Sequence, residues 1–368
     1  MKLAYIAPYD FTQPKAHTIQ IVQMCQHFAV IGVEVVLYIP IDFQLTNEIL
    51  FSVYGINSKF SIKKINISIN QWAWKRRFAF LAMLESKRNG VDFIYSRSIH
   101  PCFFAHYLKI PFVFECHTPD LDSGRLTRFA WQKAISSKYL KAWITISKSL
   151  YYYYLARNFQ HKKIILYEPG GVDRCSYEKT TTENTRPILT YVGSLYQGKG
   201  VEFVLRLAKH LPQYIFNIVG GQQSEFEIIT SREGLSVNVI YKQFCSPQDV
   251  AYEFQNSDIL IAPYDFSVFD SSGKNIAFWF SPLKLFEYMG SGKPCIISQL
   301  PQITELVTNN EVWFAEANSI ESWTDVISQV LSNKAKAEEM RERALNFVTN
   351  RYLWSERAKR IVDFMQNK

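Results

Sequence analysis

The sequence lacks any run of about twenty apolar residues, the length that an α-helix needs to cross a lipid bilayer. Its first residues, MKLAYIAPYDF, contain one lysine and are interrupted by Pro8 and Asp10. A secretory signal has a longer uninterrupted apolar core, so this segment predicts a first buried strand instead. We expect a cytoplasmic protein that is soluble or peripheral on the cytoplasmic face of a membrane.

Paired cysteines are also missing. The six cysteines stand far apart, no two form a C-x-x-C pair, and none has a histidine at the spacing of metal ligands. Scattered thiols of this kind are typical of small buried side chains in a reducing compartment. The sequence therefore predicts no metal site.

Acidic residues are scarce in the first half of the chain. Positions 1–170 hold 21 of the 41 Lys and Arg but only 10 of the 33 Asp and Glu, so they carry the net positive charge of the 368 residues. This surplus favours an anionic partner, such as membrane headgroups, a phosphorylated acceptor or nucleic acid. Surface solubility alone would also account for it.

Short apolar runs alternate with amphipathic helical segments along the chain. The runs KLAYIAP, VEVVLYIP, VDFIYSR, PFVFECHT and AWITIS predict strands in the first half, and ILTYVGS, YIFNIVGG, VNVIYKQF, DILIAPY and PCIISQ do so in the second. Strands that alternate with helices form parallel, doubly wound sheets. The predicted fold class is α/β, with two Rossmann-like doubly wound parallel-sheet domains.

A polar segment that ends in proline, RCSYEKTTTENTRP, separates the two α/β patterns. We place the linker around 171–187. The prediction is an N-terminal domain at 1–170, a C-terminal domain at 171–352 and a last helix at 353–368 that packs back on the N-terminal domain.

The loop between a predicted strand and helix at 193–200 has the sequence Gly-Ser-Leu-Tyr-Gln-Gly-Lys-Gly. Glycines let backbone N–H groups approach an anion, and a helix N-terminus and Lys199 add positive charge. These features predict a phosphate site. The letters approach the Walker A motif, but Gly200 stands where that motif needs Ser or Thr. A solvated glycine-rich turn is the alternative.

A second helix start is predicted within Ser-Pro-Leu-Lys-Leu-Phe-Glu-Tyr-Met-Gly-Ser-Gly-Lys-Pro at 281–294. Pro282 suits the first turn of a helix, and the amides of Leu283 and Lys284 would then point at a ligand phosphate. Glu287 lies one turn further on, where it would accept hydrogen bonds from ribose hydroxyls. An unpartnered carboxylate among apolar neighbours would be costly, which favours a ligand over a solvated helix face.

His117 ends the predicted strand PFVFECHT, and Glu115 and Asp120 flank it closely enough to orient its ring. The strand-end position favours a functional role. The histidines that fall on helical stretches are assigned packing or surface roles.

The segment 71–88 is basic and aromatic and predicts a helix. Helices of this composition rest on anionic lipid. A buried helix with one basic end explains the pattern equally well, so both interpretations stay open.

The segments 193–200 and 281–294, together with the paired α/β halves, resemble the retaining glycosyltransferases of the GT-B fold, specifically glycosyltransferase family 4 (group 1). The resemblance spans nearly the whole chain. Looser similarities lie at Pro14–Gly32, Thr145–Lys148, Glu168–Asp173 and Asp258–Pro263. It implies that the two domains face a cleft, with the acceptor on the N-terminal side and a nucleoside-diphosphate sugar on the C-terminal side.

The resemblance also implies roles for individual residues. Lys199 would neutralise the diphosphate, Glu287 would hold the ribose, and His117 would lie beside the transferred sugar. No metal ion or other cofactor is implied, and transfer would proceed with retention while the leaving phosphate takes the acceptor's proton. The residues assigned to donor binding are Gly193, Ser194, Gly198, Gly200, Gly220, Gly221, Ser281, Pro282, Leu283, Lys284, Glu287, Ala16, His17 and Thr18; those assigned to catalysis are His117, Lys199, Glu115 and Asp120.

Two positions depart from the family pattern. Trp279 stands where the first glutamate of the family's E-x7-E motif would fall, and Ser194 stands where an arginine often follows the phosphate-loop glycine. The first change leaves the identity of the sugar open. The second leaves Lys199 with less help in neutralising phosphate.

These observations predict a glycosyltransferase that moves a sugar from a UDP- or GDP-sugar to a growing, lipid-linked glycan, with peripheral contact to anionic membrane. An epimerase or hydrolase of the same fold is the nearest alternative, and it would need no acceptor. A basic nucleic-acid-binding protein is the alternative of a different class. Because the aromatics do not alternate with arginine as in RNA-binding modules, we expect no nucleic-acid partner.

Overall fold

The computed structural model describes residues 1–12, 14–40, 46–57, 60–67, 69, 73–119, 124–157, 164–173, 185–244 and 246–367. The chain divides into two compact units. Unit 1 comprises Met1–Gly170, Trp279–Ser281 and Trp354–Lys368, and unit 2 comprises Gly171–Phe278 and Pro282–Leu353. Residues 279–281 therefore belong to unit 1, although the helix that they precede lies in unit 2.

Unit 1 contains a seven-stranded parallel sheet in the order β3-β2-β1-β4-β5-β6-β7. Its central strands are buried because helices cover both faces of a doubly wound sheet. The strands are β1 (Lys2–Ile6), β2 (Glu34–Pro40), β3 (Ser61–Ile65), β4 (Phe93–Ser96), β5 (Phe112–Cys116), β6 (Leu140–Thr145) and β7 (Ile165–Tyr167).

The helices of unit 1 connect these strands, and one more comes from the end of the chain. They are α1 (Ala16–Val30), α2 (Asn47–Val53), α3 (Trp74–Arg88), α4 (Ile99–Leu108), α5 (Arg125–Ile135), α6 (Lys148–Ala156) and the terminal helix, named α14 below (Trp354–Gln366). The terminal helix packs against α1. An aromatic cluster fills the core beside β5 and β6, where the rings of Phe114 and Trp143 lie 4.6 Å apart.

Unit 2 contains a six-stranded parallel sheet in the order β10-β9-β8-β11-β12-β13. The strands are β8 (Ile188–Val192), β9 (Ile215–Val219), β10 (Val239–Lys242), β11 (Ile259–Ala262), β12 (Cys295–Ser298) and β13 (Trp313–Ala315). The helices are α7 (Val201–His210), α8 (Gln223–Glu233), α9 (Pro247–Gln255), α10 (Leu283–Gly290), α11 (Pro301–Thr304), α12 (Ile320–Ser332) and α13 (Lys334–Arg351).

The strand order fixes where a ligand site can form in each unit. In both sheets the order reverses beside the first strand, between β1 and β4 and between β8 and β11. Ligands of open α/β sheets bind outside the carboxyl ends of the strands at such a reversal. The predicted fold class, two Rossmann-like parallel-sheet domains, is confirmed. Within the described part of the chain, no helix has the length and apolar character needed to cross a bilayer.

Candidate active site

The phosphate loop of unit 2, residues 193–200, lies at the carboxyl end of β8, beside the reversal of strand order. Gly200 caps the N-terminus of α7 with φ of +106°. A Cβ atom at this position would overlap the carbonyl oxygen of Pro263, so glycine lets the loop lie directly on the segment that follows β11. The carbonyl of Gly198 accepts a hydrogen bond of 3.0 Å from the Asp265 amide in the same contact.

Lys199 projects from this loop toward the ring of Tyr264, with its Nζ 5.6 Å from the ring centroid. Burial lowers the pKa of Lys199 to about 8, although nearby Asp270 acts in the opposite direction. Desolvation of this kind raises the electrostatic benefit of an anion at the ammonium group. Lys199 therefore lies where the predicted phosphate site requires a cation.

The second predicted helix start is α10, which begins at Leu283 with Pro282 as its N-cap residue. The sequence predicted Pro282 in the first turn of the helix; in the structure it stands one position before that turn. The Leu285 amide donates to the Pro282 carbonyl at 2.9 Å. The amides of Leu283 and Lys284 belong to the first turn of the helix, where N–H groups have no intrahelical acceptor.

Glu287 lies on the second turn of α10 and is half-buried. Burial raises its pKa; Lys284 lowers the pKa, and Asp173 adds to the rise. Among the described residues, no side chain forms an ion pair or hydrogen bond with the Glu287 carboxylate. This carboxylate is available to accept hydrogen bonds from a ligand hydroxyl.

The loop after β9 contacts the phosphate loop directly. Gly220 packs so closely on the Gly193 carbonyl that a Cβ atom there would overlap it, and the Gly193 amide donates to the Val219 carbonyl at 2.9 Å. Gly221 packs on Leu195 in the same loop. Gly193 and the pair Gly220 and Gly221, all predicted to bind the donor, are thus neighbours in space.

Ser194, which stands where the resembled family often has an arginine, takes part in the loop through its backbone carbonyl. The Ser194 carbonyl accepts a hydrogen bond of 2.6 Å from the hydroxyl of Tyr191. This bond ties the phosphate loop to strand β8.

The side chain of Lys284 was missed by the sequence analysis, which used only its amide. Its exposed fraction is 7%. The Nζ atom lies 3.6 Å from the ring centroid of Tyr191 and 5.1 Å from that of Tyr264. An ideal Cβ on Gly193 would be 2.9 Å from this Nζ. The helix start at 283 and the loop at 193–200 therefore converge on one place.

In unit 1, His117 and Glu115 form a hydrogen-bonded pair at the carboxyl end of β5. The His117 Nε2 lies 2.6 Å from Oε1 of Glu115. Burial lowers the pKa of His117 to about 4, with Arg97 adding to the effect and Glu115 opposing it. The neutral ring donates its Nε2–H to the carboxylate, which fixes the ring orientation and leaves Nδ1 as the acceptor.

The Glu115 carboxylate is fully buried and surrounded by further donors. Burial alone would raise its pKa, but Arg357 from α14, His117 and Arg97 together hold the pKa well below its usual range. The Arg357 Nη2 lies 3.1 Å from Glu115 Oε2. Tyr95 and Gln20 also donate hydrogen bonds to this carboxylate.

The residues of unit 1 that were predicted to bind the donor form the first turn of α1. Ala16 begins the helix, and the Thr18 hydroxyl caps it by accepting from the Lys15 amide at 2.9 Å. The carbonyl of His17 accepts from Arg97 Nη1 at 3.2 Å. Burial, Arg97 and Lys15 lower the pKa of His17 to about 3, so its ring is neutral at pH 7.

Two further predicted positions are Ser281 and Asp120. The Ser281 hydroxyl accepts a hydrogen bond of 2.9 Å from the Gly170 amide within unit 1, so its oxygen has a structural partner. Asp120 lies outside the described residues. The Trp279 ring packs on Tyr153 with centroids 5.6 Å apart, which gives this departure from the family pattern a packing role in unit 1.

Comparison with protein-family models gives one match. The model of glycosyl transferases group 1 matches residues 176–347, which lie in unit 2 except for 279–281 and include the phosphate loop and α10. The match covers less than half of the chain. No curated protein sequence matches the chain significantly.

Solved glycosyltransferase structures share the fold over the whole chain. Sucrose-phosphate synthase from Thermosynechococcus elongatus has a TM-score of 0.76 at 13% identity, with 100% of this chain and 98% of that chain covered. Anabaena HepE, solved with UDP-glucose, has a TM-score of 0.76 at 13% identity and full coverage of both chains. WaaG, a glycosyltransferase involved in lipopolysaccharide biosynthesis, gives 0.67 at 15% identity, also with full coverage of both. The fold is therefore the GT-B fold.

Proposed function

We propose that this protein is a glycosyltransferase that takes a sugar from a nucleoside-diphosphate donor bound by unit 2. The observation that carries this proposal is the convergence of the phosphate loop, the first turn of α10 and two lysines, of which Lys284 lies beside Gly193 and both face the ring of Tyr264. Helix N-termini and buried ammonium groups bind phosphate, and a half-buried carboxylate binds ribose hydroxyls. The match of the same segment to the group 1 family model supports this interpretation.

The proposed donor is a UDP- or GDP-sugar. Its diphosphate would lie at Lys199 and the α10 amides, its ribose at Glu287 and its base near Gly220 and Gly221. The complex of HepE with UDP-glucose gives independent support for a uridine donor on this fold. The identity of the sugar stays open because Trp279 replaces a family glutamate.

The proposed reaction breaks the bond between the sugar's anomeric carbon and the β-phosphate oxygen and forms a bond to an acceptor hydroxyl with retention. The acceptor's proton passes to the departing diphosphate. Lys199 stabilises the charge that develops on that group, which is the task a metal ion performs elsewhere. We therefore expect full activity in the presence of EDTA. His117, oriented by Glu115, would act on the transfer step rather than on nucleotide binding.

Three alanine variants test this division of roles. Lys199→Ala and Glu287→Ala should each lower the affinity for the donor about 10- to 100-fold, because each removes a charged group from a ligand contact. His117→Ala should retain donor affinity and lose transfer. Calorimetric titration and a radiolabel transfer assay measure the two effects.

Lys336→Ala, on an exposed face of α13, is the matched control: it removes a cation that lies over the Trp313 ring and should retain wild-type donor affinity. Thermal unfolding of each variant shows that the protein remains folded. Wild-type donor affinity in Lys199→Ala would refute the phosphate assignment, and donor turnover without acceptor would favour the epimerase or hydrolase alternative.

We further propose that the acceptor is a lipid-linked glycan and that unit 1 contacts an anionic membrane. Helices α3, α4 and α5 carry eight Lys or Arg and one Glu. Ring contacts connect these helices in a continuous aromatic patch, with centroid distances of 5.4 Å (Phe80–Phe104), 5.4 Å (Phe103–Phe104), 4.9 Å (Phe103–Tyr107) and 6.0 Å (Phe103–Phe129). We name these five rings the aromatic patch.

The composition of this surface matches a bilayer interface. Phe80, Tyr107 and Phe129 are 45%, 53% and 44% exposed, and Leu126 is 65% exposed beside them on α5. Aromatic and aliphatic side chains insert at the headgroup boundary. Basic residues attract anionic lipid, and each Lys or Arg near the surface contributes about 1 kcal/mol to binding. Charge complementarity therefore favours an anionic bilayer as the occupant.

A further inference from the structure

The amino group of Lys284 is buried without a hydrogen-bond acceptor among the described residues. Lys284 is the second residue of α10, and its Nζ forms no hydrogen bond with any described part of the chain. Burying an ammonium group without an acceptor or counter-ion is unfavourable. Methionine or leucine would fill the same space at a lower free-energy cost of burial, so the amino group of Lys284 requires an explanation.

The groups around this ammonium provide only part of its compensation. The Tyr191 ring at 3.6 Å gives a cation–π contact, which offsets part of the cost of desolvation. Tyr264 presents its ring to both Lys284 and Lys199, at 5.1 Å and 5.6 Å. Two cations thus face the same ring, which is an arrangement that an anion would stabilise.

The charged and titratable neighbours of Lys284 also leave its positive charge largely uncompensated. Burial holds the pKa of Lys284 well below its usual range, Lys199 lowers it further, and Glu287 on the same helix acts in the opposite direction. Tyr191 on β8, Tyr264 after β11 and Tyr288 on α10 all have raised pKa values, so they remain neutral. Glu287, whose own pKa is raised by burial, is the acidic group that acts on Lys284.

The Lys284 side chain lies beside the phosphate loop, where a phosphate group is the anion expected. Lys284 Nζ lies against the α-carbon of Gly193, at the start of the phosphate loop, and Lys199 belongs to the end of that loop. Gly193 has φ of +152°, and a Cβ there would press on both Cε and Nζ of Lys284, at 2.8 Å and 2.9 Å. Glycine at 193 therefore makes the room that the Lys284 side chain occupies at the start of the phosphate loop.

We propose that the Lys284 ammonium is a second ligand of the donor's diphosphate, which it binds together with Lys199. It would supply the positive charge that Ser194 does not provide. This inference rests on the proposed function, because it assumes that unit 2 binds a nucleoside diphosphate.

Proton uptake follows from the same arrangement. In the free protein, burial and Lys199 disfavour the charged form of Lys284; a bound diphosphate favours it and raises the pKa. The same anion raises the pKa of Lys199, which burial lowers to about 8, so binding should take up protons at pH 8 and nucleotide affinity should fall as the pH rises.

The test compares Lys284→Met with wild type and with Lys336→Met. Calorimetric titrations with UDP, UMP and uridine, and with GDP, GMP and guanosine, are run at pH 8 in Tris and in HEPES, whose ionisation enthalpies differ. We expect Lys284→Met to lose at least tenfold in diphosphate affinity, to keep the nucleoside affinity and to take up fewer protons. Lys336→Met should match wild type. Without nucleotide, Lys284→Met should unfold at the same or a higher temperature than wild type, because methionine is buried at lower cost.

Unchanged diphosphate affinity in a folded Lys284→Met protein would overturn this inference and leave the proposed function intact. An equal loss for nucleoside and diphosphate would also overturn it, because the residue would then act only on packing. A wild-type protein that binds neither UDP nor GDP would overturn both proposals.

Discussion

At the scale of single residues, the same chemical group has opposite environments in the two units. Glu115 in unit 1 is ionised among donors, whereas Glu287 in unit 2 has its pKa raised by burial. Glu115 receives hydrogen bonds from Tyr95, Gln20 and His117, so it is a positioning group. Glu287 keeps its acceptor capacity for a ligand.

The neutral histidines of unit 1 predict a dependence of stability on pH. The pKa values of His17 and His117 are lowered to about 3 and about 4, whereas an unfolded histidine titrates near 6.5. Below about pH 6.5 the unfolded chain therefore binds more protons than the folded chain. The free energy of unfolding should fall by up to about 1.4 kcal/mol per pH unit for each histidine as the pH drops toward 4.

Urea denaturation between pH 7 and pH 5, followed by tryptophan fluorescence, measures this effect. Six of the eight tryptophans belong to the segments of unit 1, so the signal reports mainly on that unit. His17→Asn should flatten the slope. Carboxylates such as Glu115 add their own loss only near and below about pH 4.5. A stability that stays constant from pH 7 to pH 5 would contradict neutral, buried histidines.

At the scale of elements, α14 is a terminal helix whose arginine completes a buried cluster. Besides Glu115, Arg357 donates to the carbonyls of Pro169 and Glu168 at 2.6 Å and 3.1 Å. On the next turn, Arg360 binds the Glu168 carboxylate with two contacts of 2.8 Å. The helix is thus attached to unit 1 by charge as well as by apolar packing.

Arg357→Met should destabilise unit 1 by about 3–5 kcal/mol, because it leaves the Glu115 carboxylate buried without its guanidinium. Lys359→Met, on the exposed face of the same helix, should change the free energy of unfolding by less than about 0.5 kcal/mol. Urea denaturation midpoints measure both. Equal midpoints for the two variants would mean that Arg357 is not a required partner of Glu115.

The elements that could be predicted from sequence are those whose local pattern matches their burial. Strands such as Phe112–Cys116 and Cys295–Ser298 are fully buried and mainly apolar because helices cover both faces of the sheet. Strand β3, Ser61–Ile65, carries two lysines at the sheet edge and gives no such signal. The glycine loop was found because its chemistry is local.

Contacts between distant segments could not be predicted in this way. Arg357 lies more than 200 positions from Glu115 in the sequence, and no spacing rule connects them. In the sequence, the Lys284 side chain is likewise only a cation on a predicted helix, and nothing local points to its surroundings. Only the packing of α10 against β8 places it at Gly193.

At the scale of the whole molecule, the excess of positive charge in unit 1 and the aromatic patch predict binding to anionic vesicles. Wild type should sediment with vesicles that contain phosphatidylglycerol and not with pure phosphatidylcholine, and added salt should weaken the binding. Phe80→Ser combined with Phe129→Ser should lower the affinity at least tenfold. Phe266→Ser, at an aromatic residue of unit 2 that is 65% exposed, is the control and should not change it.

An equal loss of binding in Phe266→Ser would show that the aromatic patch is not the contact surface. Absence of binding to anionic vesicles together with tight, salt-dependent binding to an oligonucleotide would instead support the nucleic-acid alternative.

The central claim is that unit 2 binds a nucleoside-diphosphate sugar at the convergence of its two helix starts. The most direct measurement is the shift in unfolding temperature of the purified protein with a panel of UDP- and GDP-sugars, each beside its free nucleoside. We predict that at least one nucleotide sugar raises the unfolding temperature, that its nucleoside does so far less, and that Glu287→Ala reduces the shift. No shift with any UDP- or GDP-sugar at millimolar concentration would contradict the account.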